Sequence, residues 1–362
     1  MAKIGVITFS NTLDNYGQVL QYISIQEYLK TRGHQVSLIR HCYSSNVFKR
    51  LARNILRLFR QKQATVKVRT TFDKWAECTE KYEALHPRHF EEFRETYCNI
   101  YNLRLPSYRR CFDAFVVGSD QIWSSTSPFC FLNFAKYGEV KFSIAPSIGK
   151  MKVDNRVVST IKDWLVDFKF ITCREQSAVD MCRKAGREDA HLVLDPTFLI
   201  PKEAYLAYTS PGIVKDDYVF IYMLGADVSI DLSQIYEFAA KENLKVKYVA
   251  SQGREDNYPK EWATIPEWIS LLSNAKYVFT NSFHGMALSC IFKKQFLVFP
   301  IVGEMKGMNE RIFNISKEFN CEDRIYGNSL YEVKNPINYD FIQSKIDANK
   351  EVIAQLLSTI NY

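Results

Sequence analysis

The chain has 362 residues, of which 47% are hydrophobic and 24% are charged, and its formal net charge is +7. These values exclude a disordered chain, and the length favours two domains that each bury a core of their own. The N-terminal run does not resemble a secretory signal and no apolar run is long enough to cross a bilayer, so we expect a cytoplasmic protein.

Short β-type runs alternate with helical stretches along the first half of the chain. The pattern predicts a strand at 3–10, a helix at 18–31 that Gly33 terminates, and a second strand at 35–40. A charged, aromatic-rich helical region follows at 72–97. Further strands are predicted at 112–117, 141–145, 168–172 and 191–194.

A second series of strands and helices follows. Strands are predicted at 218–224, 245–250, 277–280 and 295–299, with helices at 232–242 and 265–273 and a last helix at 339–357. Alternating β and α elements predict parallel sheets covered on both faces. We therefore expect an α/β fold of two doubly wound, Rossmann-like domains, at 1–205 and 206–362. We expect the last helix to pack back across the boundary.

The segment 47–71 carries eight basic residues and no acidic one. Its apolar residues recur at spacings of three and four, which predicts a basic amphipathic helix inserted in the first domain. Such a helix either lies on an anionic membrane surface or packs on its own domain with a solvated basic face, and the pattern leaves both open. No nucleic-acid module accompanies the charge, so we expect no nucleic-acid partner.

The residues after each strand are the candidate binding residues, because doubly wound sheets bind ligands beyond the carboxyl ends of their strands. Ser119 and Ser177 are expected to be turn or capping residues. Arg174 satisfies no cap, so it is predicted to hold a carboxylate or phosphate through paired hydrogen bonds. The residues after the first predicted strand include Asn11, Asp14, Asn15, Tyr16, Gly17 and Gln18, and those after the third include Asp120 and Gln121.

His284 lies where a buried strand meets the start of a helix. Backbone N–H groups converge there with an imidazole that titrates near neutral pH, which suits catalysis on an anionic substrate. The alternative is that Ser282 is an ordinary N-cap and His284 a structural histidine.

Several signatures are absent. The chain has no glycine-rich dinucleotide motif, no P-loop, no G-x-S-x-G and no H-E-x-x-H. Its nine cysteines include no C-x-x-C pair, and Asp216-Asp217 precedes a strand instead of following one. We therefore expect neither a cofactor nor a metal ion.

Five ordered segments together resemble the polysaccharide pyruvyl transferase family. They are Asn15-Tyr16-Gly17, Gly118-Ser119-Asp120-Gln121-Ile122-Trp123, Cys173-Arg174-Glu175-Gln176-Ser177, Asp195-Pro196-Thr197 and Asn281-Ser282-Phe283-His284-Gly285. The resemblance implies a GT-B-like fold whose two domains face a cleft. It also implies transfer of a pyruvyl group from phosphoenolpyruvate to hydroxyls of a sugar in a bacterial surface polysaccharide or its lipid-linked precursor.

The resemblance also implies roles for individual residues. His284 corresponds to the family's histidine and is expected to be the general acid and base, and Arg174 corresponds to a donor-binding arginine. Relatives often carry an arginine where this chain has Ser282, so other groups must help to hold the donor. The expected donor-binding residues are Arg174, Ser282, Phe283, Gly285, Lys306 and Arg311. The expected acceptor-binding residues are Asn15, Tyr16, Gly17, Gln18, Asp120 and Gln121.

Two functions of other classes remain open. A GT-B glycosyltransferase that uses a nucleotide sugar would share the fold and the cleft. A non-catalytic carbohydrate-binding protein would keep the acceptor side without needing His284 or Arg174. If the basic segment binds lipid, the protein would lie peripherally at the inner face of the membrane.

Overall fold

The computed structural model describes residues 1–41, 79–103, 111–149, 153–212, 217–225, 227–251 and 253–361. The predicted basic helix at 47–71 lies outside the described residues, as does the beginning of the helical region predicted at 72–97. The later part of that region is helical at 79–85 and again in the helix described below. Within the described ranges, no helix combines the length and the apolar character that a membrane span requires.

The first sheet has six parallel strands in the order β3-β2-β1-β4-β5-β6. The chain crosses between the two halves of this sheet at β1 and β4, which is the switch point where doubly wound sheets bind their ligands. The strands are β1 (Lys3–Ile7), β2 (Gln35–His41), β3 (Ile100–Leu103), β4 (Ala114–Val117), β5 (Val140–Ser143) and β6 (Phe168–Phe170).

The strand predicted at 168–172 is interrupted, and the predicted single strand is wrong in this detail. β6 ends at Phe170, and Thr172–Cys173 forms β7, which pairs with β8 (His191–Leu192) in a separate two-stranded sheet. The Ser143 hydroxyl bonds both the N–H and the carbonyl of Thr172, at 2.9 Å each. The Ser143 side chain thus bonds Thr172 in place of a neighbouring strand's backbone, and the chain leaves the first sheet at this point.

The helices of the first half begin where the sequence provides caps. α1 starts at Tyr16, two residues before its predicted start, because the Asn15 side chain accepts a hydrogen bond from the Gln18 N–H at 3.2 Å. Apart from the helical stretch at 79–85, the described α-helices of this half are α1 (Tyr16–Lys30), α2 (Phe90–Tyr97), α3 (Asn155–Leu165), α4 (Gln176–Lys184) and α5 (Lys202–Leu206).

The second sheet has four parallel strands in the order β10-β9-β11-β12. They are β9 (Tyr218–Tyr222), β10 (Lys245–Tyr248), β11 (Tyr277–Thr280) and β12 (Gln295–Val298). The accompanying helices are α6 (Leu232–Lys241), α7 (Ile265–Asn274), α8 (Phe283–Ile291), α9 (Asn309–Glu318) and α10 (Tyr339–Ser358). The predicted fold class, two doubly wound Rossmann-like units, is confirmed.

One continuous apolar core joins the two sheets. Tyr16 of α1 stacks on Trp268 of α7 with ring centroids 5.1 Å apart, and its hydroxyl donates to the carbonyl of Ala263 at 2.5 Å. In α10, the Asn349 side chain accepts a hydrogen bond from the Leu194 N–H at 2.8 Å. The last helix therefore contacts the first half of the chain, while the domain boundary at 205 and 206 stays a prediction.

Candidate active site

The loop after β1, the loop after β4 and the first turn of α8 surround a cavity of about 240 Å³, called the central cavity below. It lies between the two sheets and opens on the switch point of the first sheet. The predicted site residues that line it are Asn15, Gln18, Asp120, Gln121, Ser282, Phe283, His284 and Arg311. The structure thus brings together most of the predicted site.

His284 is fixed by the turn that starts α8. The Ser282 N–H donates to Thr280 Oγ1 at 3.0 Å, and the Ser282 hydroxyl accepts from the Gly285 N–H at 3.3 Å. His284 is 7% exposed, and its imidazole lies against the backbone of Gly17, where an added Cβ would lie 1.9 Å from Nδ1 of the ring. Gly17 is therefore needed to make room for the ring and does not itself line the cavity.

The pKa of His284 is lowered to about 4, first because the ring is buried and further because of the nearby positive charges of Arg174 and Arg311. The carboxylates of Asp195 and Asp120 oppose this shift but do not overcome it. Burial of the ring thus favours the neutral imidazole over the imidazolium at neutral pH.

Asp195 lies at the centre of a buried polar cluster beside His284. Its Oδ2 accepts hydrogen bonds from Arg174 Nη1 at 2.5 Å and from the Ser119 hydroxyl at 3.1 Å, and it lies 3.9 Å from His284 Nε2. Its Oδ1 accepts from the N–H and the hydroxyl of Thr197. Burial alone would raise the pKa of this carboxyl, but the charge of Arg174 and then that of His284 lower it to about 2.

Ser119 and Ser177 were expected to be turn or capping residues, and neither caps a helix. Ser119 is buried, and its N–H donates to Gln21 Oε1 at 2.8 Å while its hydroxyl bonds Asp195. Ser177 lies in the first turn of α4, and its buried hydroxyl has no hydrogen-bond partner. Ser119 is therefore part of the cluster behind the histidine.

Glu175 also has a role that the sequence did not indicate. Its Oε1 accepts hydrogen bonds from the Ser147 hydroxyl at 2.8 Å and from the N–H groups of Ile148 and Gly149, at 2.6 and 3.0 Å. Gly149 in turn lies against the Gln121 side chain, where an added Cβ would lie 2.7 Å from Gln121 Cδ. Glu175 thus holds the loop that supports one wall of the central cavity.

Arg174 lines a second cavity, of about 300 Å³, called the rear cavity. The Phe283 ring separates it from the central cavity, with the Arg174 guanidinium 5.3 Å and the Arg311 guanidinium 5.7 Å from the ring centroid. Arg174 Nε and Nη2 and Arg311 Nε are buried without a hydrogen-bond partner. Burial, and then the charge of Arg174, lower the pKa of Arg311 to about 10, so both groups are cationic at neutral pH.

Besides Gly17, three predicted ligand contacts are not supported by the structure. Tyr16 is fully buried between Phe90, Tyr222 and Trp268, so its ring cannot reach a sugar. An added Cβ on Gly285 would lie 2.6 Å from a side-chain atom of β11, so this glycine serves helix packing. Lys306 is exposed and lines neither cavity.

The wall of the central cavity formed by Asn15, Gln18 and Asp120 is held by a short hydrogen-bond chain. Gln18 Nε2 donates to Asp120 Oδ2 at 3.1 Å, and Gln18 Oε1 accepts from the Thr12 N–H at 3.2 Å. Asn15 uses its side-chain oxygen to cap α1, which orients the rest of its amide at the cavity wall. In the described part of the chain, no three His, Cys, Asp or Glu side chains are arranged to hold a metal ion.

Comparison with solved structures finds matches over nearly the full chain at low identity. The UDP-GlcNAc 2-epimerase from Methanocaldococcus jannaschii is 10% identical, with 98% of this chain and 99% of that chain covered and a TM-score of 0.46. The Neisseria meningitidis UDP-GlcNAc 2-epimerase bound to UDP-GlcNAc is 10% identical, with 99% of each chain covered and a TM-score of 0.44. Arabidopsis thaliana UGT89C1 complexed with UDP-L-rhamnose is 10% identical, with coverages of 98% and 92% and a TM-score of 0.45.

The fold assignment rests on the strand order of the two sheets, and the family assignment rests on sequence. No curated protein sequence matches the chain. Residues 15–301 match the model of a family described as "Polysaccharide pyruvyl transferase". The matched range contains Arg174, Asp195 and His284, the residues clustered behind and beside the central cavity. The chain belongs to the polysaccharide pyruvyl transferase family, whose members are transferases with saccharide acceptors.

Proposed function

We propose that this chain transfers the pyruvyl group of phosphoenolpyruvate to two hydroxyls of one sugar, giving a cyclic pyruvate ketal and inorganic phosphate. One observation carries the proposal: the helix-terminal His284 and the cationic Arg311 line the same cavity as the neutral amides Asn15, Gln18 and Gln121. An anionic donor and a neutral polyol acceptor both find complementary groups there.

The donor's negative charges fit the end of the central cavity formed by α8 and α9. In the first turn of α8 the N–H groups of Phe283 and His284 have no intrahelical acceptor, and the helix dipole adds positive potential. Arg311 adds a guanidinium, and Arg174 adds charge from behind the Phe283 ring. In this proposal, these groups take over the role of the arginine that relatives often carry where this chain has Ser282.

The reaction requires one proton to be delivered to carbon and two to leave hydroxyls. One sugar hydroxyl bonds to C2 of the donor while C3 gains a proton, so the double bond becomes a single bond. The second hydroxyl then displaces phosphate at C2, and each hydroxyl loses its proton. A positioned acid and base accelerates such steps by about 10²–10⁴-fold.

His284 is the group we assign to these proton transfers. Burial lowers its pKa to about 4, which keeps the ring neutral at neutral pH. The carboxylate and phosphate of a bound donor would raise that pKa, because nearby negative charge favours the imidazolium. The ring would therefore take up a proton with the donor, deliver it to C3, and then accept the proton of the attacking hydroxyl.

The acceptor's hydroxyls are assigned to the opposite wall of the cavity. Asp120 can accept hydrogen bonds, and Gln18, Gln121 and Asn15 carry amide groups that both donate and accept. Because Gln18 is already bonded to Asp120 and to Thr12, its orientation is fixed before the sugar binds. Such preorganisation lowers the entropy cost of binding.

The test is incubation of the purified chain with phosphoenolpyruvate and a panel of saccharides, followed by mass analysis for a pyruvate ketal. Formation of the ketal with release of phosphate supports the proposal. Transfer of a glycosyl group from a UDP-sugar in a parallel incubation would indicate a glycosyltransferase instead. Saccharide binding without turnover of either donor would indicate a non-catalytic binding protein.

Substitution of His284 gives the second part of the test. His284→Ala is expected to lower kcat by about 100-fold or more while the fold remains intact. His191→Ala is the matched control, because His191 lies exposed on β8 and lines neither cavity. Activity of His284→Ala within about tenfold of the wild type would exclude His284 as the acid and base.

A further inference from the structure

A third cavity adjoins the central cavity on the side of the first sheet. It measures about 410 Å³ and is formed by the loop after β1 together with Thr79 and Glu80. Phe9, Asn15 and Gln18 line both this cavity and the central one. The two spaces are therefore neighbouring parts of one cleft, and a ligand longer than one sugar ring can extend from one into the other. We call the third cavity the outer cavity.

The lining of the outer cavity suits an uncharged, hydroxyl-rich ligand. The polar residues besides Asn15 and Gln18 are Ser10, Asn11, Thr12, Asp14, Thr79 and Glu80. They offer hydroxyl, amide and carboxylate groups, which match the mixed donors and acceptors of a saccharide. Phe9 provides an apolar surface at the junction with the central cavity. Among the residues that the structure describes, no lysine or arginine lines this cavity, so these residues do not favour an anion such as the donor.

The loop that forms this cavity is held rigidly. The Thr12 hydroxyl accepts hydrogen bonds from the N–H groups of Asp14 and Asn15, at 3.2 and 2.9 Å, and the Thr12 carbonyl accepts from Arg94 Nη1 at 2.8 Å. The Thr79 hydroxyl donates to the buried carboxylate of Asp14. A loop fixed in this way presents its groups to a ligand without a large ordering cost.

We propose that the outer cavity is a second saccharide subsite, which binds the uncharged sugar unit next to the one that receives the pyruvyl group. This inference rests on the proposed function, which places the sugar to be modified in the central cavity. It adds that the acceptor is at least a disaccharide. The unit to be modified occupies the central cavity beside His284, and Asn11, Thr79 and Glu80 contact its neighbour.

The kinetic test compares acceptors that share a terminal sugar. The probes are the methyl glycosides of glucose, galactose and mannose, and the disaccharides maltose, lactose and mannobiose. For the terminal sugar that is pyruvylated, we expect kcat/KM to be about tenfold or more higher for the disaccharide. Asn11→Ala and Glu80→Ala should reduce this advantage, whereas Glu95→Ala, an exposed carboxylate on α2, should not. Equal kcat/KM for the monosaccharide and the disaccharide in the wild type would overturn the subsite and leave the pyruvyl transfer intact.

A binding measurement separates the subsite from the reaction. In saturation-transfer NMR without any donor, both rings of a bound disaccharide should receive magnetisation from the wild-type protein, and the second ring should lose it in Asn11→Ala and Glu80→Ala. This measurement does not require ketal formation. It therefore tests the subsite even if the chain does not transfer a pyruvyl group. Saturation confined to one ring, or no saturation of any disaccharide in the panel, would overturn the subsite.

Discussion

The imidazole of His284, which follows β11, packs against the backbone of Gly17, which follows β1. An added Cβ at position 17 would lie 1.9 Å from His284 Nδ1 and 2.6 Å from its Cε1. Because α1 begins in the first sheet's half and α8 in the second's, the contact ties the position of the histidine to both halves of the chain.

Gly17→Ala is expected to displace the imidazole and lower kcat by about 100-fold, as removal of the histidine does. The substitution should also cost about 1–3 kcal/mol of unfolding free energy because it overpacks the core. In the His284→Ala background the stability cost should disappear, since the ring is gone, and a double-mutant cycle by urea unfolding measures this. Gly307→Ala is the control, because nothing lies within 4 Å of a Cβ added there. An equal cost in both backgrounds would contradict the contact.

Asp195→Asn is expected to lower the unfolding free energy by about 3–5 kcal/mol, because it leaves the buried Arg174 guanidinium without its charged partner. Asp189→Asn, which removes a half-exposed partner of Arg187, should cost no more than about 1 kcal/mol. The folded-state pKa of Asp195 lies below its ordinary value, so the carboxylate's contribution is full above pH 3.8 and lost as the pH falls towards 2. Urea unfolding curves of wild type and variant should therefore converge at acid pH.

In unfolding experiments without donor, His284 should make the protein less stable as the pH falls from about 6.5 to 4. Over that range the unfolded chain binds a proton at this histidine and the folded chain does not, because burial lowers the folded-state pKa to about 4. The unfolding free energy therefore rises with pH across the range, and the slope should flatten in His284→Asn. An unchanged slope in the variant would assign the pH dependence to another group.

Binding of phosphoenolpyruvate near pH 6.5 should be accompanied by proton uptake, since the donor's negative charges raise the pKa of the imidazole. Calorimetric titrations in buffers of different ionisation enthalpy measure this uptake directly. His284→Asn should still bind the donor, with less proton uptake than the wild type. Donor binding without net proton uptake in the wild type would contradict the acid role of His284.

Arg311→Lys is expected to raise the KM for phosphoenolpyruvate by about tenfold or more, because a point-charge ammonium cannot replace a guanidinium fork. Arg174→Lys should raise it less, since Arg174 lies behind the Phe283 ring and lines only the rear cavity. Steady-state kinetics with the donor varied at saturating acceptor measures both values. A larger increase in KM for Arg174→Lys than for Arg311→Lys would show that Arg174 contacts the donor directly, as its position at the end of a strand predicts.

The segment 47–71 is expected to bind anionic membranes through its basic residues. Co-sedimentation with liposomes should depend on anionic lipid and weaken with salt, because salt screens the attraction. Replacing Arg50, Arg53, Arg57 and Arg60 with Gln should reduce it. Equal sedimentation of wild type and variant would favour a helix that packs on its own domain.

Local sequence predicted the sheets well because their strands are apolar runs bounded by turn residues. Phe115-Val116-Val117 and Tyr277-Val278-Phe279 are examples, and both lie fully inside observed strands. The break between β6 and β7 was not predictable, because it depends on the Ser143 hydroxyl, which comes from a strand 29 residues earlier. Long-range side-chain bonds of this kind leave no periodic pattern.

The sequence predicted the site residues that directly follow a strand. It did not predict the site residues whose role depends on a partner elsewhere in the chain. His284 and Gln121 follow strands, and the ends of parallel strands meet at one edge, so their convergence follows from the fold. Asp195 lies 21 residues from Arg174, and nothing in its Asp-Pro-Thr segment indicates that it neutralises that arginine. Tyr16 looked like a ligand residue because it stands in a polar loop, but its place in the core depends on Trp268, far along the chain.

The stacking of Tyr16 on Trp268 restricts how substrates enter. Both rings are fully buried, and exposing an aromatic side chain of this size costs roughly 1.5–3 kcal/mol. A hinge motion that swung the two sheets apart would expose both rings, together with Tyr222 and Phe90 that pack around them. Opening of the whole molecule is therefore energetically disfavoured, and donor and acceptor are expected to enter the cleft while the two halves stay closed.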